Sequence, residues 1–117
     1  MKKNIIQEKT FHFSLQIIEL YKMLLEIREF VISRQMLKSA TSIGANVREA
    51  LRGESKKDFI HKMSISLKEA HETDYWLQLL QKSKLIEQNI DPLVNELNEI
   101  ISILTKIIKT SKANSEF

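Results

Sequence analysis

Four cations on one helical arc are the most distinctive chemistry in this sequence. Arg34, Lys38, Arg48 and Arg52 recur at intervals that, at about 100° per residue, place them within an arc of roughly 80°. The stretch from Arg34 to Lys57 holds six basic residues (these four with Lys56 and Lys57) against two acids, Glu49 and Glu54. The whole chain carries a net charge of only +3, so the positive charge is concentrated rather than spread. Lysines and arginines clustered on one face suit the phosphates of RNA or DNA. Each neutralised phosphate releases counterions, and affinity then falls steeply with salt. The same arc also fits an ordinary solvated face, its cations paired with Glu49, Glu54 or acids of the third helix, or turned toward an acidic protein partner.

Catalytic and metal chemistry finds less support. Di-iron carboxylate bundles need Glu-x-x-His on two helices and two further glutamates. None of His12, His61 and His71 lies three residues after a glutamate. The chain has no phosphate-binding glycine loop, no nucleophile elbow and no cysteine. Glu69, Glu72 and Asp74 sit close to Trp76, but acids at such spacings on a helix ordinarily pair with lysines such as Lys62 and Lys68. The chain therefore reads as non-catalytic, with no cofactor and no metal.

The elements that must carry the basic arc are helical. Two glycines and one proline in 117 residues leave little punctuation for turns, and no stretch alternates long enough to be a strand. The spacing predicts four helices in one domain. The first runs over about 14–30. The second covers about 33–52, with Ser33 as N-cap and Gly53 just past its end. The third covers about 56–83 behind a capping box that opens at Ser55. The fourth covers about 92–112, started by Asp91 and Pro92. The ends, about 1–10 and 113–117, read as frayed. Short connections make consecutive helices antiparallel, so the predicted fold is an all-α, up-down-up-down four-helix bundle. No apolar run approaches the ~18 residues of a membrane span. Residues Met1 to Lys9 lack the apolar segment of a signal peptide. With no cysteines, the chain fits a reducing cytoplasm.

Two helices carry more apolar surface than one core needs. The third has a main stripe of Phe59, Ile60, Met63, Leu67, Ala70 and Leu77, and a second one of Ile65, Trp76, Leu79 and Leu80. The first is apolar around most of its circumference. A second stripe implies another subunit, because large exposed apolar patches mark interaction surfaces and aromatics gather at interface centres. The chain is accordingly expected to form a closed homo-oligomer, with Ile65, Trp76, Leu79 and Leu80 at the interface. In the second helix, Gly44 costs up to ~1 kcal/mol relative to alanine, and a close crossing with another helix is the reason to keep it. Ser39, Ser42 and Asn46 form a polar edge beside the apolar stripe.

The run from Ser39 through Ser42, Ile43, Asn46 and Glu49 to Ala50, preceded by Gln35 and Lys38, resembles the central motif of the bacterial four-helix proteins encoded in intervening sequences of 23S ribosomal RNA genes. Further matches lie at Phe11 to Phe13, Leu20 to Lys22, Ser55 to Phe59 and Lys68 to Leu77, so the resemblance spans about residues 11–110. It implies a left-handed antiparallel bundle assembled as a ring-like homopentamer. That family is similar to the accessory variability determinant of diversity-generating retroelements, a basic pentamer thought to bind nucleic acid and its reverse transcriptase. Lys38 stands where arginine is common, and Arg48, Glu49 and Ala50 replace the frequent Ala-Glu-Gly, which implies a second helix that continues slightly further. Two functions follow as expectations: a module contacting RNA or DNA through Arg34, Lys38, Arg48 and Arg52, or a protein–protein scaffold without nucleic acid.

Overall fold

A computed structural model describes residues 4–114, and among them the regular structure consists of four α-helices. These are α1 (Ile5–Glu26), α2 (Ile32–Leu51), α3 (Lys56–Ser83) and α4 (Asp91–Asn114). Each helix packs against its two neighbours, closing a ring α1–α2–α3–α4–α1. The rod measures 52 × 25 × 23 Å, the proportions of an up-down-up-down bundle.

The core explains the pairing. Buried positions in α1 are Ile6, Thr10, Phe13, Ile17, Leu20 and Leu24; in α3 they are Met63, Ser66, Ala70, Thr73, Leu77 and Leu80. Both sets step alternately by three and four residues, an average of 3.5, the repeat that winds helices into a left-handed supercoil. In α2 Ser33, Met36, Ala40, Ile43, Val47 and Ala50 do the same, with Ser39 buried beside them, and Leu97, Ile100, Leu104 and Ile108 complete the core from α4. Hydroxyl residues occupy several of these positions. Their O–H groups are satisfied internally, which is what lets them be buried.

The predicted first helix needs correcting at both ends. It begins nine residues earlier, where the Asn4 side chain accepts from Gln7 N at 3.0 Å, because residues 5–13 continue the core repeat. Of the ends expected to fray, 5–10 and 113–114 are ordered into α1 and α4, Asn4 caps α1, and 1–3 and 115–117 lie outside the described residues. The helix stops at Glu26, and Arg28 turns the chain with φ 63°, a left-handed conformation that costs roughly 1–2 kcal/mol for a side-chain-bearing residue.

Ser33 is not the N-cap of α2 but a buried residue of its first turn. The N-cap position is Val31, and Glu29 supplies the capping acceptor: its carboxylate accepts from Val31 N (3.2 Å), Ile32 N (2.9 Å) and Ser33 N (2.6 Å), three donors that the helix itself leaves unpaired. At the other end, α2 runs to Leu51, and a side chain on Gly53 would place its Cβ 2.6 Å from Asp58 Oδ2 and 3.0 Å from the Ala50 carbonyl. The α3 boundaries match the expected 56–83, with Ser55 Oγ accepting from Asp58 N at 3.0 Å. Asp91 is the first residue of α4, and its carboxylate is taken by the Gln81 side chain of α3. Across the remaining seam, Lys9 bridges α1 to Glu96 (3.0 Å) and Glu99 (2.8 Å) of α4.

Candidate nucleic-acid interface

Helix α2 presents opposite faces to the core and to solvent. Met36, Ala40, Ile43, Val47 and Ala50 are buried, and Arg34, Lys38, Arg48 and Arg52 are all exposed. At 1.5 Å per residue the strip from Arg34 to Arg52 extends roughly 27 Å along the bundle. Lys56 and Lys57, also exposed, carry the positive surface around the α2–α3 turn.

The strip is not neutralised from within. Among the described residues, the ion pairs join Lys9 to Glu96 and Glu99, and Lys22 to Glu19. Arg34, Lys38, Arg48 and Arg52 pair with neither Glu49, Glu54 nor any acid of α3. Arg48 instead lies over the ring of Phe11 in α1, its guanidinium carbon 5.1 Å from the ring centroid. Such a contact leaves the N–H fork of the guanidinium available for phosphate.

On its α1 side, α2 borders a groove of about 250 Å³ lined by Gln7, Thr10, Phe11, Ser14, Thr41, Gly44, Ala45 and Arg48. Gly44 marks the close crossing expected of it. A Cβ there would lie 3.3 Å from Thr10 Oγ1 and 3.5 Å from the Thr10 backbone. Thr10 belongs to the segment of α1 that sequence reasoning left outside the fold, so the partner of Gly44 and the groove beside it were missed. The signal was present: Ile6, Thr10 and Phe13 extend the core repeat of Ile17, Leu20 and Leu24 backwards.

The motif residues divide by role. Ile43 is buried, and its carbonyl accepts from Ser66 Oγ of α3 at 2.8 Å. Ser42 Oγ donates to the Lys38 carbonyl and Asn46 Nδ2 to the Ser42 carbonyl, so both are satisfied within α2. Ser39 differs, meeting the Thr73 hydroxyl across the seam at 2.9 Å. Glu49 is exposed.

Of the residues expected at an oligomer interface, Leu80 needs correction: it is 0% exposed and belongs to the core of its own chain. Ile65, Trp76 and Leu79 are half-buried on the flank of α3. Trp76 packs against the core and donates its indole N–H to Glu72 at 3.2 Å, with Tyr75 edge-on at 5.0 Å. Beside Trp76, Tyr75 is 57% exposed, and further exposed apolar side chains lie elsewhere. Phe11 (51%), Leu15 (48%) and Ile18 (37%) form an outer stripe on α1, and Ile27, Phe30, Val31 and Leu85 gather at the end of the bundle that holds the α1–α2 and α3–α4 turns. No helix among the described residues is long and apolar enough to cross a membrane, and no group of three or more His, Cys, Asp or Glu residues converges there.

Fold and surface together define an antiparallel helical bundle with one basic outer face. The chain belongs to the 23S rRNA-intervening sequence protein family, which it matches over residues 2–106. It is similar to a crystal structure from Bacteroides thetaiotaomicron, a protein with unknown function from the S23 ribosomal protein family. The two are 46% identical, the match covers 89% of this chain and 98% of that one, and the TM-score is 0.86. No curated protein matches. Neither finding points to a catalytic family.

Proposed function

We propose that the chain is a non-catalytic, oligomeric binding module that holds RNA or DNA by the phosphate backbone along α2. The observation that carries this reading is the strip itself: Arg34, Lys38, Arg48 and Arg52 are exposed on one arc and form no ion pair with the described acids. Glu49 and Glu54 are close in sequence, yet neither forms an ion pair with any of the four. Assembly as a homo-oligomer, a pentamer by the resemblance, would repeat the strip and multiply weak contacts into useful affinity. Leu15 and Ile18 on the outer side of α1 support such assembly, since exposed apolar surface of this kind marks contact surfaces.

The test is binding of Arg48→Gln/Arg52→Gln to generic RNA and duplex DNA over a salt series. The double variant should bind more weakly on whichever nucleic acid the wild type holds and lose up to about 2 from the slope of log affinity against log salt, roughly 0.7–0.9 for each phosphate contact removed. Unchanged affinity and slope would remove these arginines from the interface.

A protein–protein scaffold is the second reading, favoured by the four exposed apolar side chains at the turn end of the bundle. It requires that wild-type protein ignore nucleic acid at moderate salt. Light scattering separates the cases, because a particle whose mass grows with RNA and returns with salt supports the first. A Leu15→Lys/Ile18→Lys variant that keeps the wild-type mass would place the self-contact away from α1.

A further inference from the structure

We propose that the groove between α1 and α2 is a binding site for a single unpaired nucleobase, so that the ligand of the strip is single-stranded rather than duplex. This inference rests on the phosphate-binding reading and names the part of the nucleic acid that the strip alone leaves unread.

The chemistry of the groove carries it. Its lining includes one cation, Arg48, and no carboxylate. Phe11 is half exposed beneath that guanidinium, giving a π-surface and a charged plane side by side. Unpaired bases are held by such surfaces, stacked on aromatic rings or guanidinium planes. A volume of about 250 Å³ lies below the 300–1,000 Å³ typical of drug-sized ligands and suits one planar heterocycle. Its polar groups are one-sided. Thr10 Oγ1 donates to the Ile6 carbonyl, Ser14 Oγ to Thr10, and Thr41 Oγ1 to Leu37. With their hydrogens directed into their own helices, the half-buried Ser14 and Thr41 oxygens offer acceptors only, and the buried Thr10 closes the floor. The Gln7 side chain makes no hydrogen bond to the described residues and supplies both a donor and an acceptor. An acceptor-rich site of this kind favours bases with an exocyclic amino group (cytosine, adenine and guanine) over thymine and uracil. Arg48 at the rim is placed to take the adjoining phosphate. A base within a duplex cannot enter without leaving its stack.

The experiment compares fluorescence anisotropy of the full chain with oligo-deoxycytidine, oligo-deoxythymidine and an abasic deoxyribose-phosphate strand of equal length, at fixed salt. Wild type should prefer oligo-deoxycytidine over the abasic strand by at least about fivefold, with oligo-deoxythymidine between them. Ala45→Leu, which fills the groove from an exposed helical position, should bring the oligo-deoxycytidine affinity down to that of the abasic strand. Thr41→Val, which keeps the shape and removes one acceptor, should abolish the preference for cytidine over thymidine even if Ala45→Leu folds poorly. Equal binding of bases and abasic strand by wild type overturns the base site and leaves the phosphate reading standing. No binding to any strand overturns both. An Ala45→Leu protein that changes particle mass but keeps base discrimination gives the groove to a second copy of the chain, against this proposal.

Discussion

The two seams that α2 makes with its neighbours are built from similar small residues, yet one is closed and the other open. Toward α3, Ser39, Ser66 and Thr73 are fully buried and hydroxyls meet across the seam: Ser66 donates to the Ile43 carbonyl, and the Ser39 and Thr73 hydroxyls lie 2.9 Å apart. Thr73 also reaches the Glu69 carbonyl of its own helix at 2.8 Å. Toward α1, Thr10, Ser14 and Thr41 bond only to carbonyls of their own helices. There Gly44 draws the backbones together over Thr10, and the notch left above the crossing is the groove beneath Arg48. A small hydroxyl residue is thus not by itself glue or site. What decides is whether its hydrogen bond crosses to the neighbour, which fixes register, or folds back, which leaves a surface with acceptors to spare.

The comparison is broken most easily by adding the same side chain to each seam. Ser66→Leu pushes a branched side chain into a filled interior and removes the bond to Ile43. Overpacking alone typically costs about 1–3 kcal/mol, so chemical denaturation should show a loss at or above the top of that range. Ala45→Leu adds a longer side chain on the exposed edge of the open seam and should stay within about 0.5 kcal/mol of wild type. Equal losses at the two positions would mean that the seams do not differ.

A second effect, of middle size, concerns what holds α2 in register with both seams. Burial raises the pKa of Glu29, but the N–H groups of Ile32, Ser33 and Val31 more than offset this and hold the carboxyl below its ordinary value. The stabilisation from a depressed carboxyl is complete above the unfolded value, about 4.3, and is lost as pH falls through the lower folded value. Replacing a capping acceptor by alanine costs about 0.5–2 kcal/mol. Glu29→Ala should therefore unfold earlier than wild type at neutral pH, and the gap should close as the pH is lowered below 4. A gap that persists in acid would assign the loss to packing rather than to the cap.

How much of this was legible follows from the same residues. The α3 boundaries were readable because Gly53, Ser55 and Asp58 are local stop and start signals with a local mechanism. The exposed arc of α2 was readable because its four cations share one helix. Helix α1 was misread because Thr10 is polar at a core position and Phe11, Leu15 and Ile18 are apolar at outer ones, which blurs the periodicity. The cap at Glu29 was missed because it lies four residues before the Ser33 that imitates it. The groove was not readable at all, since Phe11 and Arg48 meet only once two helices are docked. Leu80 was placed on an outer stripe because angular position on α3 alone does not say how far its core face extends.

The smallest effect sharpens the comparison at its centre. Alanine is the better helix former, so Gly44→Ala gains up to ~1 kcal/mol of propensity. Against that, its Cβ would press Thr10 Oγ1 at 3.3 Å, and this oxygen is held by the Ile6 carbonyl at 2.8 Å on a fully packed face of α1. We expect the contact to win narrowly, with Gly44→Ala less stable than wild type by a few tenths of a kcal/mol to ~1 kcal/mol. In a Thr10→Ala background the obstructing oxygen is gone, and the same substitution should become neutral or stabilising. The coupling in this double-mutant cycle should be about 1 kcal/mol, within the range for residues in contact. Additive behaviour would mean that Gly44 is retained for the space it leaves to the groove rather than for its approach to Thr10.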